Sequence, residues 1–186
     1  HRFTCWWGSS YTWFSPSWSV RLHGRDRIDP STRYILVANH QSLLDILIMF
    51  RLRKPYKWVS KRENFRIPIV GQVMQMNGYI NIARDDAKSI RHMIERGVEL
   101  IDGGDSLLVF PEGTRSEDGQ LLPFRTGAFK IAQKTGVQII PVVIDGSAKG
   151  LRRGSLLVHR AQMSAHVLEP IAPETFADCS AKELAS

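Results

Sequence analysis

Cysteine is nearly absent from this 186-residue chain: Cys5 and Cys179 stand near opposite ends. Two such residues make neither a disulfide framework nor a zinc spacing, and they suit a reducing compartment. No run approaches 18 uninterrupted apolar residues, so no segment reads as a helix that spans a bilayer. There is no G-x-S-x-G elbow, no P-loop and no G-x-G-x-x-G, which removes the anchors of serine hydrolases and of nucleotide and dinucleotide binders. No group of His, Cys and carboxylates has metal-ligand spacing. The simplest chemistry left is direct transfer without a metal, a cofactor or a covalent enzyme intermediate. The chain opens on His1 rather than Met, which leaves room for a signal or anchor ahead of it.

Acidic residues are also in deficit. Eighteen Asp and Glu face 25 Lys and Arg, 17 of them Arg, for a formal charge of +7. Arginine's planar fork matches phosphate and carboxylate, so the excess points to an anionic partner. Hydrophobic residues at 43% and charged residues at 23% describe an ordinary globular domain and exclude disordered and coiled-coil classes. Four of the five tryptophans fall in residues 1–18 (Trp6, Trp7, Trp13, Trp18). Such rings favour either a membrane–water boundary or the core of the domain. The stretch Arg51–Arg66 carries seven basic residues and one acid, a pattern that suits nucleic acid and anionic head groups equally.

Strands and helices alternate from residue 18 onward. Val20 and Leu22 predict an edge strand, and Tyr34–Ala38 a buried one. An apolar helix follows over Leu43–Leu52, then strands at Lys57–Val59 and Gly78–Ile82. Asp85-Asp86 open a helix with Ala87, Ile90, Ile94, Gly97 and Ile101 on one stripe, stopped by Gly103-Gly104. A strand at Leu107–Phe110, a helix capped by Thr126 and ended by Gly136, and strands at Val137–Ile144 and Met163–Leu168 complete the pattern. The expectation is a single α/β domain with a mixed, largely parallel sheet flanked by helices.

Three features fall just past the C-terminal ends of predicted strands, the edge where parallel α/β sheets bind ligands. The first is His40 with Asp45 five residues on. That offset aligns on no helix, so the pairing needs His40 in the strand-to-helix turn and Asp45 reaching back from the first helical turn. A carboxylate on one imidazole nitrogen fixes the tautomer and leaves the other nitrogen as a base. Ser42-x-x-Asp45 also reads as a capping box, which would account for Asp45 without chemistry. The second is Phe110-Pro111-Glu112-Gly113-Thr114-Arg115-Ser116, with a flexible glycine, two hydroxyls and a guanidinium. The third is Arg84. A base, an orienting carboxylate and two arginines suit deprotonating a hydroxyl on a phosphorylated molecule.

Asn39-His40-Gln41-Ser42-Leu43-Leu44-Asp45 resembles the N-H-x4-D block of the glycerolipid acyltransferases, most closely the bacterial 1-acylglycerol-3-phosphate enzymes. Phe110–Arg115 matches that family's third block, and Val137–Val142 is similar to its fourth. The second block is looser: Gly78 and Arg84 are present, but Asn81 and Ala83 replace its usual Phe and Asp. The resemblance runs from about Val20 to Ile171. It implies His40 as general base and Asp45 as its orienter. It implies that Arg84, Glu112, Gly113, Thr114, Arg115 and Lys61 surround the acceptor phosphate, Glu112 doing so by holding an arginine or the loop's own N–H groups. It also implies an acyl-CoA or acyl-ACP donor, lysophosphatidic acid as acceptor, no metal and no nucleic acid. Residues 1–18 then form an aromatic membrane-proximal segment and 19–186 the acyltransferase domain, at an anionic membrane surface on the cytoplasmic face of the inner membrane. Glycerol 3-phosphate or another lysolipid is the rival acceptor, and a non-catalytic anionic-lipid or nucleic-acid binder the rival class.

Overall fold

A strand that is apolar throughout must be covered on both faces, and all of Tyr34–Ala38 (β2) is buried. The computed structural model describes residues 10, 17–83, 86–116, 119–152, 154–155 and 157–186. Its other strands are Trp18–His23 (β1), Lys57–Lys61 (β3), Ile80–Ile82 (β4), Leu107–Val109 (β5), Gln138–Asp145 (β6) and Ala161–Val167 (β7). They form one seven-stranded sheet in the order β1-β7-β6-β2-β5-β3-β4. Strands β2 to β6 run parallel; β7 is antiparallel to β6, and β1 pairs parallel with β7.

Helices Leu44–Phe50 (α1), Val70–Met76 (α2), Ala87–Asp102 (α3) and Gly127–Thr135 (α4) connect the parallel strands, with single turns at Ser147–Gly150 (α5) and Pro173–Phe176 (α6). Because side chains alternate across a strand, β2 splits its residues between two cores. Tyr34, Leu36 and Ala38 pack with Leu44, Ile48 and Met49 of α1. Ile35 and Val37 pack on the other face with Met93 and Ile101 of α3 and Phe129 and Ile131 of α4. The mostly parallel α/β domain read from the sequence is the fold observed.

Several elements depart from the sequence reading. The buried stripe of α3 is Ser89, Met93, Gly97, Leu100 and Ile101, rotated from the predicted one. Ser89 turns inward because its hydroxyl accepts the Ala83 N–H at 2.8 Å, tying the helix to the end of β4. Asp86 does cap this helix, accepting from Lys88 N at 2.9 Å. Thr126 occupies the cap position of α4 but makes no side-chain cap bond. Helix α2 was not foreseen, since its apolar residues lie on opposite faces and give no single stripe.

The topology opens a crevice. β2 and β5 are neighbours, yet the helix after β2 covers one face of the sheet and the helix after β5 covers the other. Loops leaving their C-terminal ends therefore diverge, which is the switch point where such sheets bind ligands. Asn39 fixes the first of these loops. Its Nδ2 donates to Ile144 O at 2.8 Å and its Oδ1 accepts from Ile144 N at 2.7 Å, extending the β2–β6 ladder by one side chain. Asn39→Ala strands both Ile144 backbone groups in the interior, at about 1–3 kcal/mol each. A thermal melt of that variant should shift down by roughly 5–15 °C.

Candidate active site

His40 follows β2 outside the helix, and Asp45 sits in the first turn of α1, as the five-residue offset required. His40 Nδ1 lies 2.8 Å from Asp45 Oδ2, and the Asp45 side chain is fully buried. The same oxygen accepts from Gln41 N at 2.7 Å and from Ser42 N at 2.8 Å. The capping role and the ring-orienting role, weighed as alternatives from the sequence, are performed by one atom. Ser42 does not complete the capping box: its hydroxyl accepts from Leu44 N at 3.3 Å and donates to Leu151 O at 2.7 Å. With three donors converging on Oδ2, the imidazole proton belongs on Nδ1, and Nε2 keeps its lone pair. The ring stacks on Phe110, with centroids 4.1 Å apart.

The Phe110–Ser116 loop clamps His40 from the neighbouring strand. Glu112, 4% exposed, accepts from His40 N at 2.7 Å through Oε1 and from Leu122 N at 3.0 Å through Oε2. The backbone N–H groups it holds belong to His40 and Leu122, not to its own loop as expected. Ser116 N in turn donates to His40 O at 2.8 Å. The backbone of His40 is therefore held on both its donor and its acceptor side.

A cleft of about 330 Å³ opens over these residues. Its polar lining includes His40, Lys61, Gly113, Thr114, Arg115 and Arg125, and its apolar lining Leu43, Ile46, Trp58, Ile82, Met93 and Phe110. Such a mixed lining suits an amphiphile with an anionic head. Lys61, at the end of β3, lies 3.5 Å from Glu63. The Glu63 carboxyl sits below its usual range because its own backbone N–H, then the Lys61 and Arg66 charges, favour the ionised form. Gly113 has φ +70°, a conformation that favours glycine, and a Cβ there would meet Arg125 Nε at 2.7 Å. Arg125 therefore lies across Gly113. Arg84 falls outside the described residues, as do 1–9 and 11–16 of the aromatic segment. Trp18 belongs to β1 and donates its indole N–H to His159 O at 3.1 Å.

A family model described as "Acyltransferase" matches residues 19–145. The chain belongs to the acyltransferase family. Its acyltransferase match takes in both loops, from Asn39 to Arg115, and every strand from β2 to β6. The chain is 41% identical over 141 residues to a chloroplastic 1-acyl-sn-glycerol-3-phosphate acyltransferase of Brassica napus, covering 75% of this chain and 41% of that protein. It is 35% identical over 142 residues to the 1-acyl-sn-glycerol-3-phosphate acyltransferase of Helicobacter pylori, covering 75% of this chain and 60% of that one. The fold is similar to the crystal structure of the 1-acyl-sn-glycerophosphate (LPA) acyltransferase PlsC of Thermotoga maritima. That match has a TM-score of 0.78 at 27% identity and covers 99% of this chain and 74% of the other. The chain spans from two fifths to one half of the length of the plant and algal relatives it matches.

One residue of the site, Arg125, and the roles of two others, Asn39 and Ser116, escaped the sequence reading. Arg125 stands ten residues past Arg115, with no spacing signal to mark it; its N–H bonds Pro111 O at 2.9 Å and folds it back over the loop. The bridging role of Asn39 and the clamp at Ser116 both depend on partners more than 70 residues away. The geometry at Asp45 sets an order of stabilities. Asp45→Asn keeps an acceptor oxygen for the turn, whereas Asp45→Ala leaves the buried Ser42 N–H and its neighbour without one, at about 1–3 kcal/mol each. Melting temperatures should run wild type, then Asp45→Asn, then Asp45→Ala clearly lowest, with His40→Ala close to wild type.

Proposed function

We propose that this acyltransferase moves an acyl chain from a thioester donor, acyl-CoA or acyl-ACP, to the sn-2 hydroxyl of 1-acylglycerol 3-phosphate, giving phosphatidic acid. The observation that carries this reading is the His40 Nδ1–Asp45 Oδ2 contact of 2.8 Å at the wall of a cleft lined by both cationic and apolar side chains. The relatives' names, which specify this acceptor for those proteins, support it.

In this mechanism Nε2 of His40 takes the hydroxyl proton as the alcohol oxygen attacks the thioester carbonyl. The C–O bond forms, the C–S bond breaks, and the imidazolium returns its proton to the departing sulfur. No enzyme atom is acylated. The buried Asp45 carboxylate stabilises the transient imidazolium and prevents the ring from turning. Arg115, Lys61, Arg125 and Arg84 hold the acceptor phosphate, with Gly113 and Thr114 admitting it close to the backbone. Glu112 keeps His40 seated and does not meet the phosphate, which it would repel.

A one-tailed acceptor and a two-tailed product partition into bilayers, so the reaction is assigned to an anionic membrane surface, on the cytoplasmic face of the inner membrane. Among the described residues no helix is long and apolar enough to cross a membrane. Attachment is assigned to the Trp-rich residues 1–18 and the basic stretch 51–66.

The test is free-thiol release from acyl-CoA with an acceptor panel of lysophosphatidic acid, glycerol 3-phosphate and a lysolipid without a phosphate monoester. Lysophosphatidic acid should be the preferred acceptor. His40→Ala should lower its kcat by about 10²–10⁴-fold; near wild-type turnover in that variant contradicts the mechanism. Arg84→Ala and Arg115→Ala should each lower acceptor kcat/KM by roughly 10–150-fold, the equivalent of about 1.5–3 kcal/mol per charge-assisted bond.

Glu112→Gln separates seating from phosphate binding. A glutamine offers one acceptor where two backbone N–H groups need one each, so His40 shifts. The expected outcome is a fall in kcat with acceptor KM little changed, and a raised KM at constant kcat would place Glu112 at the phosphate.

A further inference from the structure

Helix α2 is built inside out for a domain in water. Its buried residues are Gly71 and Met74, and Gly71 lies so close to the preceding 3-10 turn that a Cβ would meet Phe65 O at 2.1 Å. On the opposite face Val73 and Met76 stand three residues apart and share one side of the helix, and Ile69, in the turn that enters the helix, is turned out as well. That face is exposed, with Ile69 at 73% and Met76 at 87%. Ile67 and Val70 beside it are also about half exposed.

The entry to this helix is strained. Ile69 has φ +66° and ψ −56°, and Val70 N donates to Pro68 O at 2.7 Å. The three residues close a γ-turn of the rare positive-φ kind, unfavourable for a β-branched residue. The strain turns Ile69 away from the body, where its side chain gains no burial within the chain. Strained backbone of this sort clusters at sites of function.

The charge around the stripe is mostly positive, with Glu63 the one acid on the adjoining turn and set 3.5 Å from Lys61. Arg62 and Arg66 are exposed on the preceding 3-10 turn, Arg62–Arg66. No acidic residue occurs between Glu63 and Asp85. The same turn contributes Asn64 to the lining of the cleft, next to Lys61. An apolar stripe bordered by arginines, beside the mouth of a cleft, matches the interfacial zone of a bilayer with anionic head groups.

We propose that the Arg62–Met76 segment is a membrane-docking face: Ile69, Val73 and Met76 enter the acyl boundary of an anionic bilayer while Arg62 and Arg66 bind its head groups. This rests on the reading above, that the acceptor resides in a membrane, and it assigns to the domain itself a contact separate from residues 1–18. A face so placed sets the cleft at the surface from which a one-tailed acceptor must leave.

The test is co-sedimentation of the 186-residue chain with vesicles of phosphatidylcholine alone and of an equal mixture of phosphatidylcholine and phosphatidylglycerol. Ile69→Ser/Val73→Ser/Met76→Ser should lower partitioning at least roughly tenfold on the mixed vesicles, without lowering the melting temperature. Arg62→Gln/Arg66→Gln should lower it by roughly 10–30-fold on the mixed vesicles only, and less at high salt. Ile69→Gly relieves the turn, so it should weaken vesicle binding while leaving the melting temperature equal or higher. A serine triple variant that binds like wild type overturns the proposal. So does a melting temperature lowered by Ile69→Gly, which would mean that the chain itself covers this side chain. So does a wild type that self-associates in solution and becomes monomeric in the triple variant, which would mean that a second copy is the occupant. Thiol release with a short-chain, water-soluble monoacyl phosphate, unchanged in the triple variant, keeps this surface distinct from the chemistry: loss of vesicle binding with transfer intact supports the face. Absence of transfer in wild type would remove the activity reading and leave the binding result standing.

Discussion

Asp45 Oδ2, with no access to solvent, receives the N–H groups of Gln41 and Ser42 and the ring nitrogen of His40. That convergence links the turn that ends β2, the start of α1 and the orientation of an imidazole in a single atom. A negative charge at the first turn of a helix is also favoured by the helix dipole. Without the carboxylate the turn would hold unpaired buried donors, and without the turn the ring would have no fixed direction. Stability and chemistry at this position are therefore inseparable, and the five-residue offset follows from a strand-to-helix turn that must close on itself.

A second buried carboxylate performs the matching task from the next strand. Glu112 joins the backbone of His40 to that of Leu122, so the loops after β2 and β5 are tied across the crevice that their diverging helices open. Asp45 and Glu112 thus each accept from internal N–H groups. The cleft lining includes His40 and the cations Lys61, Arg115 and Arg125 together with apolar side chains.

The strands and the two long helices were legible because their signals are local: an unbroken apolar run at Tyr34–Ala38, an acidic cap at Asp86, glycines after Asp102. The His40–Asp45 pairing was legible because the offset restricts it to one geometry. The rest depends on partners distant in the chain. Nothing near Asn39 announces Ile144, and nothing near Glu112 announces that both its oxygens meet backbone N–H groups. Arg125 enters the cleft only because the loop bends back through Pro111. The α3 stripe was rotated by one hydroxyl, that of Ser89, bonding outside the helix, and α2 was missed because three of its four apolar side chains face outward.

The central claim, that Asp45 fixes His40 with Nδ1 protonated and Nε2 free to act as base, is tested most directly by the ring nitrogens themselves. Nitrogen-15 NMR of the histidine-labelled chain, with His40→Gln to assign the resonances, reads the tautomer without reference to turnover. The account predicts that neutral His40 shows a protonated Nδ1 with a strongly downfield proton and an unprotonated Nε2, and that Asp45→Ala abolishes this preference. A neutral His40 that carries its proton on Nε2 in the wild-type chain would contradict it.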